Sequence, residues 1–494
     1  MLFSSHAFIF GFLPLALIAF HAARIRFGGN AALGTVALSS LIFYGWWNPP
    51  YLMLLGGSMA VNYLFVRLLD RGIRGPTLMI GILVNLAVLG YFKYRNFFLE
   101  NVGLILGETW QFEPIFVPLA ISFFTFQQIA LLCDVSDGKA KVRGILDFAA
   151  FVALFPQLIA GPIVLFREMH QQFTDLRDGA GRGLAMLGPG IVIFALGLFK
   201  KVVLADSIGP YADTGFAAAE LLTFLEAWAA AIAYSLQLYF DFSGYSDMAV
   251  GLGLMLGFTL PINFDTPFRA TSMVDFWKRW HITMTRFFMM YLYSPIALAF
   301  ARYAIERRLP KTGEFAVAVA VPIAITFLLS GLWHGAAWTF VAFGAVNAFG
   351  LIANHYWRSL KIARLPVPVG WLLTMVTVVI SFVYFRAASM DEAHMILSAM
   401  ASPHDLTLPS WMSVQAERIG LPWQSMNFFS AGSYTARLAA WIAILLPLSM
   451  LIPNIAKRAD GLATGWPTAV ATAAMIWLSL ALLDRPQAFI YFQF

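Results

Sequence analysis

Residues 315–352 read FAVAVAVPIAITFLLSGLWHGAAWTFVAFGAVNAFGLI and contain no Asp, Glu, Lys or Arg. A helix needs ~20 apolar residues to cross the hydrocarbon core of a bilayer, so this stretch is long enough for two crossings. The pattern recurs along the chain, in which 60% of the 494 residues are hydrophobic and 12% are charged. A soluble domain carries about 25% charged residues. The sequence therefore predicts an all-α, multi-pass membrane protein that meets lipid over much of its surface.

The basic residues lie in short clusters between apolar segments, although the formal net charge is +6. Such spacing is typical of cytoplasmic loops under the positive-inside rule, and it argues against a nucleic-acid-binding surface, which needs one continuous basic patch. Cys133 is the only cysteine, which excludes an intrachain disulfide and a thiolate metal site. The clusters that we expect to be cytoplasmic are Arg24 and Arg26, then Arg67, Arg71 and Arg74, then Lys139, Lys141 and Arg143, then Arg358, Lys361 and Arg364, and finally Lys457 and Arg458.

Several apolar segments contain Pro, Gly and amide side chains that interrupt a regular helix. Residues 114–133 include Gln127 and Gln128, and residues 145–166 include Pro156 and Gly161. Irregular backbone is tolerated at membrane depth only where it is buried in protein or lines a cavity. We expect broken or re-entrant helices there. With no internal repeat and no hydrophilic linker, the sequence predicts a single membrane domain over residues 1–494.

Ionisable residues inside apolar segments are costly, so each one is a candidate for function. His334 lies between two apolar runs, and an imidazole both accepts and donates a proton near neutral pH. We expect it to face a water-filled passage, where it would deprotonate a hydroxyl for attack on a thioester. The alternative is structural: Gly331 and Gly335 form a close helix contact, and His334 is only hydrogen-bonded between helices.

His281 also has two interpretations. Its neighbours Lys278, Arg279 and Arg286 fit an interfacial helix anchored by Trp277 and Trp280. In the functional interpretation, Trp277 and His281 share one helical face turned toward a substrate tunnel. Lys278 or Arg279 then attracts an anionic donor, such as the phosphates of coenzyme A.

Asp241 and Asp247 lie on either side of Gly244, near the junction of the apolar segments predicted at 224–240 and 245–261. These carboxylates could pair with a Lys or Arg, orient a histidine, or bind backbone amides of a broken helix. A metal site is not predicted, because no third ligand stands at a recognisable spacing.

The same residues carry a family resemblance. The stretch AYSLQLYFDFSGYSDMAVGLGLMLGF from Ala233, the motif FWKRWH ending at His281 and the motif LLSGLWHGAAW around His334 resemble the membrane-bound O-acyltransferase family. Similarity extends to ISFFTFQQIA from Ile121, FPQLIAGPI from Phe155, GLFKKVVLAD from Gly197 and VYFRA from Val383. Within the family the chain is most similar to the membrane subunits that O-acetylate alginate.

The resemblance implies a fold of about eleven spans plus re-entrant helices around a central tunnel. It implies that His334 and His281 are catalytic, and that no cofactor is bound while acetyl-CoA serves as acyl donor. Members of this branch pass an acetyl group across the bacterial inner membrane to a periplasmic serine-hydrolase-like partner, which places it on an exported polysaccharide. The expected tunnel-lining residues are Asp241, Asp247, Lys278, Arg279, Trp280 and Trp333.

One segment departs from the family pattern. After His281 the chain reads TMTRFFMMYLYSPIALAF, with Met290 where the family has an Asp and without the family's Gly-Gly turn. This departure weakens alginate as the expected polymer. Two alternatives stay open: transfer of another acyl group such as D-alanine, and a passive transporter of polysaccharide or metabolites, although transporters often show repeats that this sequence lacks.

Overall fold

A computed structural model describes residues 1–110, 112–113, 115–362, 365–402, 407–408, 410–419, 424–425, 432–462, 465–484 and 489–490. Helices dominate these residues, with one short pair of parallel strands, Thr407–Leu408 and Gln424–Ser425. The helices of the first half are α1 Leu13–Phe27, α2 Gly29–Gly45, α3 Pro49–Asp70, α4 Gly75–Leu89, α5 Arg95–Leu106, α6 Ile121–Ser136, α7 Ile145–Val152, α8 Phe155–Leu158, α9 Phe166–Arg177, α10 Leu187–Phe199, α11 Asp206–Ala217 and α12 Phe224–Met255. Those of the second half are α13 Met273–Trp277, α14 Ile282–Phe288, α15 Ser294–Glu306, α16 Lys311–Phe315, α17 Val321–His334, α18 Trp338–Ser359, α19 Val367–Arg386, α20 Met390–Ala401, α21 Ser410–Arg418, α22 Gly432–Leu451 and α23 Trp466–Leu482.

Short π-helical turns join several of these helices. Met289–Tyr293 connects α14 to α15, and Ala316–Ala320 connects α16 to α17. Each pair therefore forms one long helical segment, Ile282–Glu306 and Lys311–His334. Further π-helical turns are Ala7–Phe12, Gly90–Tyr94 and Lys200–Ala205, and the 3₁₀ turns are Gly183–Met186, Ala219–Leu221, Pro267–Arg269 and Ile455–Gly461.

Six helical segments among the described residues are long and apolar enough to cross a membrane. The predicted all-α, multi-pass membrane architecture is confirmed, while the larger number of spans and the central tunnel stay predictions. The six segments are Ala7–Phe27, Pro49–Asp70, Gly75–Leu106, Ile282–Glu306, Lys311–His334 and Val367–Arg386.

Contacts between residues divide the chain into two compact units. The first contains Met1–Phe199, Ser243–Asn263 and Ile455–Pro486, and the second contains Lys200–Phe242, Phe264–Asn454 and Gln487–Phe494. Each unit is assembled from segments that are distant in the sequence. The predicted organisation as a single domain stays a prediction.

Residues 145–166 form broken helices in the first unit, as predicted. The two short helices α7 and α8 replace a continuous crossing, and residues Ala160–Leu165 follow without regular structure. The carbonyl oxygen of Phe151, at the end of α7, accepts hydrogen bonds from the amide groups of Gln127 at 3.2 Å and Gln157 at 2.7 Å. The buried amides thus satisfy backbone that a helix interruption leaves unpaired.

Helix α12 differs from the prediction of two segments around Gly244. It is one continuous helix over residues 224–255, and Gly244 does not break it. In the first unit, a Cβ on Gly197 would come within 2.5 Å of the Gly244 carbonyl oxygen, and one on Gly251 would come within 2.6 Å of the Phe194 nitrogen. The glycines serve close packing of α10 against α12 rather than a turn.

Candidate functional site

His281 begins helix α14 in the second unit and has a left-handed backbone conformation, with φ of 43°. The chain reaches it through α13, whose end is held by Arg279 Nε donating to Asp275 Oδ1 at 2.8 Å. Trp280 stacks on Phe276 with ring centroids 5.6 Å apart. The His281 side chain is 0% exposed, and the Trp277 and Trp280 side chains are buried as well. Such burial argues against the interfacial-helix interpretation.

The expected single helical face carrying Trp277 and His281 is wrong. Helix α13 ends at Trp277, and His281 starts a new helix after a break. A left-handed conformation at a residue other than glycine costs about 1–3 kcal/mol and persists where the surroundings fix it, often at functional sites. The break reorients the imidazole relative to α13.

His334 is the last residue of α17 and is 5% exposed. Its ring lies 5.1 Å from the Phe385 ring on α19 and 5.7 Å from the Phe343 ring on α18. Trp333, its neighbour in sequence, lies 4.8 Å away ring to ring. Aromatic side chains from three helices therefore surround this imidazole.

Glycines bring α17 and α18 together, as the structural alternative for this region predicts. A Cβ on Gly331 would collide with the Phe340 carbonyl oxygen, and one on Gly335 with the Phe340 ring. A Cβ on Gly344 of α18 would likewise collide with the Phe327 carbonyl oxygen. The close contact between α17 and α18 is therefore present, and the pairing of the two histidines is present beside it.

The second feature of this region is the pairing of the two histidines. The ring centroids of His281 and His334 are 6.5 Å apart, and the Trp333 ring flanks both, 6.1 Å from His281 and 4.8 Å from His334. Phe242 contacts the His281 ring from α12 at 4.8 Å. Two imidazoles at this separation are close enough to act on one small group placed between or beside them.

A cavity of about 230 Å³ lies in the same unit between α13, α14, α17 and α18. Most of its lining is apolar, including Met284, Phe288 and Ile323. It reaches Ser330, one turn before His334 on α17, but its lining does not include the His334 ring. The water-filled passage expected at His334 therefore stays a prediction.

Two buried polar groups line this cavity without a hydrogen-bond partner in the described part of the chain: the Trp277 indole nitrogen and the Ser330 hydroxyl. Buried polar groups are nearly always hydrogen-bonded, and exceptions call for an explanation. A ligand with carbonyl oxygens would satisfy both, because the indole N–H only donates and the hydroxyl can donate.

The predicted tunnel residues occupy different positions. Lys278 is exposed and lines the cavity. Arg279 pairs with Asp275 at 2.8 Å and lies 3.8 Å from the Asp265 carboxylate, and its predicted role toward a donor stays a prediction. Trp280 and Trp333 pack in the aromatic cluster around the histidines and are not part of the cavity lining.

Asp241 and Asp247 both lie on α12 but are assigned to different units. Asp241 belongs to the second unit, where Lys201 Nζ lies 2.6 Å from Asp241 Oδ1 and 2.7 Å from Asp206 Oδ1. Asp247 is buried in the first unit. Within the described residues, no group of three or more His, Cys, Asp or Glu side chains could hold a metal ion.

Sequence reasoning overlooked Ser330, which stands inside the motif of His334, and it did not assign partners to Asp241. Lys201 and Asp206 both occur in the stretch GLFKKVVLAD. Opposite charges in an apolar segment were the signal that could have indicated a buried ion-pair partner for Asp241. Phe385 lies in the motif VYFRA. Its ring contact with His334 depends on the packing of α19 against α17, which the motif alone does not indicate.

Comparison with known proteins identifies relatives over most of the chain. A peptidoglycan O-acetyltransferase of Helicobacter pylori is 34% identical over the whole chain and 98% of its own length. A probable alginate O-acetylase, AlgI, of Azotobacter vinelandii is 39% identical over 83% of this chain and 79% of its own length. A teichoic acid D-alanyltransferase of Streptococcus thermophilus is 28% identical over 54% of this chain and 68% of its own length.

The profile of the membrane-bound O-acyltransferase family matches residues 77–400, which include both histidines and the cavity. The relatives named as O-acetyltransferases and O-acetylases share more than 30% identity over most of their length. This chain therefore belongs to the membrane-bound O-acyltransferase family and is an O-acyltransferase embedded in the membrane.

Proposed function

We propose that the protein takes an acetyl group from a cytoplasmic thioester donor, acetyl-CoA, and passes it across the bacterial inner membrane for O-acetylation of an exported polysaccharide. The observation that carries this proposal is the pair of buried imidazoles, 6.5 Å apart, next to a cavity containing two unsatisfied polar groups. The donor arm would enter through the cavity, with Lys278 attracting its phosphates.

In the proposed reaction, His334 takes the proton from an acceptor hydroxyl as the oxygen attacks the thioester carbonyl carbon. The new C–O bond forms, the C–S bond breaks, and the proton is returned to the leaving thiolate. His281 polarises the carbonyl or stabilises the charge that develops on its oxygen. General base catalysis of this kind contributes about 10²–10⁴-fold.

The relatives support a polysaccharide as the final acceptor, because their names specify peptidoglycan and alginate as their substrates. We propose a periplasmic serine-hydrolase-like protein as the partner that completes the transfer. The atypical segment after His281 forms α14, the π-helical turn Met289–Tyr293 and α15. Met289 lines the cavity, so this departure changes the proposed donor entrance rather than the histidine pair.

The D-alanyltransferase relatives keep a second acyl group open, although they match little more than half of this chain. Reaction with carrier-protein-bound D-alanine, and none with acetyl-CoA, would favour that alternative. A passive transporter would catalyse no acyl transfer from either donor.

The proposal is tested by His334→Ala. We expect acetylation of the polysaccharide to be lost while the protein still inserts in the membrane, because the change removes the imidazole proposed to take the hydroxyl proton. Acetate released by mild base from purified polysaccharide is the measurement, with labelled acetyl-CoA supplied to membranes. His394→Ala, a change at an exposed histidine of α20, is the control. Full acetylation by His334→Ala would refute the role.

A further inference from the structure

Three charged side chains form a buried cluster in the second unit. Lys201 Nζ lies 2.7 Å from Asp206 Oδ1 and 2.6 Å from Asp241 Oδ1, and the side chains are 4%, 9% and 1% exposed. Buried charges are tolerated only when they are paired and their remaining hydrogen-bonding capacity is satisfied. One lysine facing two carboxylates leaves Asp241 Oδ2 in need of a further donor.

The end of the chain supplies that donor. The backbone N–H of Ile490 donates to Asp241 Oδ2 at 3.0 Å. Phe489 and Ile490 are themselves buried, so this contact is part of the packed interior rather than a surface association. Three distant parts of the sequence, residues 201–206, residue 241 and residue 490, thus meet at one charge cluster.

The cluster lies next to the histidine pair through α12. Phe242 directly follows Asp241, and its ring contacts the His281 ring at 4.8 Å and the Phe264 ring at 5.0 Å. Tyr239, two residues before Asp241, packs against Phe268 at 5.4 Å. A buried ion pair whose hydrogen bonds are satisfied in only one arrangement fixes the rotation of the helix that carries it about its own axis. The rotation of α12 about Asp241 determines where Phe242 meets His281.

We propose that the C-terminal residues Phe489–Ile490 are a positioning element of the active site: by completing the Lys201–Asp206–Asp241 cluster they hold α12 so that Phe242 orients His281. This inference rests on the proposed function of His281. Asp241 and Lys201 are then positioning residues, acting on the imidazole through Phe242 and not on the substrate.

The test replaces Ile490 in the full-length protein. Ile490→Pro removes the N–H while keeping an apolar side chain, and Ile490→Val keeps the N–H as the matched control. We expect Ile490→Pro to lower kcat about tenfold, as loss of a hydrogen bond to a charged group does, with the KM for acetyl-CoA unchanged. Ile490→Val retains the wild-type rate. A chain ending at Pro486 removes the same donor without introducing proline and is expected to match Ile490→Pro.

Hydrogen–deuterium exchange of residues 276–284 gives a readout that does not depend on catalysis. We expect faster exchange there in Ile490→Pro than in Ile490→Val, with the rest of the second unit unchanged. If exchange changes as expected but even the wild-type protein transfers no acetyl group, the proposed function fails and the positioning role stands. Equal exchange and equal kcat in the two variants, or global unfolding of both Ile490→Pro and the shortened chain, would overturn the inference.

Discussion

At the scale of single residues, the site combines several features that cost stability. His281 has a left-handed backbone, Trp277 and Ser330 line a cavity with unsatisfied polar atoms, and His334 is enclosed by aromatic rings. Each of these features lowers stability unless it is compensated. Their concentration in the motifs of the two histidines, two of them lining one cavity, is typical of a site shaped for a ligand.

The Trp277 indole N–H and the Ser330 hydroxyl are predicted to bind the donor arm. Trp277→Phe and Ser330→Ala each remove one donor with little change in shape, so we expect the KM for acetyl-CoA to rise about three- to tenfold, the range for one hydrogen bond. Steady-state kinetics with labelled acetyl-CoA is the measurement.

Ser381→Ala is the matched control for this prediction, since the Ser381 hydroxyl is fully buried on α19 and already donates to the Val378 carbonyl oxygen at 2.8 Å. It should leave the donor KM unchanged. A donor KM that is the same in all three variants and the wild type would contradict the assignment.

At the scale of elements, the site depends on the contact between α17 and α18. Gly331 faces the Phe340 carbonyl, and Gly344 faces the Phe327 carbonyl, so the two helices are antiparallel and in close contact. Gly350 of α18 approaches Thr377 of α19, while Phe343 contacts Phe385. Helix α18 therefore returns between α17 and α19, which run in the same direction.

Gly331→Ala is predicted to separate α17 from α18. The added methyl group would collide with backbone at Phe340, which cannot move as a flexible side chain does, and overpacking of this kind costs about 1–3 kcal/mol. We expect a lower midpoint of thermal unfolding in detergent together with reduced acetyl transfer.

Gly34→Ala provides the comparison, because Gly34 is also helical but its Cβ would meet nothing within 4 Å. That change should leave the midpoint unchanged or raise it slightly, since alanine favours helix over glycine. Equal midpoints for Gly331→Ala and Gly34→Ala would rule out the close contact.

At the scale of the whole molecule, the basic loops predict the orientation. Arg307, Arg308 and Lys311 precede α17, and Arg358 and Lys361 follow α18, so both loops lie at the same end of these helices. Under the positive-inside rule this end is cytoplasmic. In the proposed inner-membrane location, the opposite end, where α19 is followed by α20, then faces the periplasm.

Labelling of introduced cysteines checks this orientation in a Cys133→Ser background. Asp391→Cys at the start of α20 should react with a membrane-impermeant thiol reagent once the outer membrane is permeabilised, whereas Lys311→Cys should react only after the inner membrane is broken. Both positions are exposed, so reagent access depends on the side of the membrane. The reverse labelling pattern would invert the proposed path of the acetyl group.

The sequence alone determined the class of this protein and the residues that carry its family motifs. Apolar runs of membrane-spanning length and scattered basic clusters are local properties, and they need no knowledge of packing to be recognised. The motifs around His281 and His334 are equally local. They identified the two histidines before any contact between them was known.

Only the tertiary structure decided how these residues meet. The approach of His281 to His334, the cluster of Lys201, Asp206 and Asp241 with Ile490, and the cavity beside Ser330 join residues far apart in the chain. Helix α12 is continuous through Gly244, and the glycine serves the close contact with α10. Hydrophobic periodicity cannot show such a contact between helices. Hydropathy reports how each segment meets lipid, whereas the chemistry of the site depends on which segments pack together inside the protein.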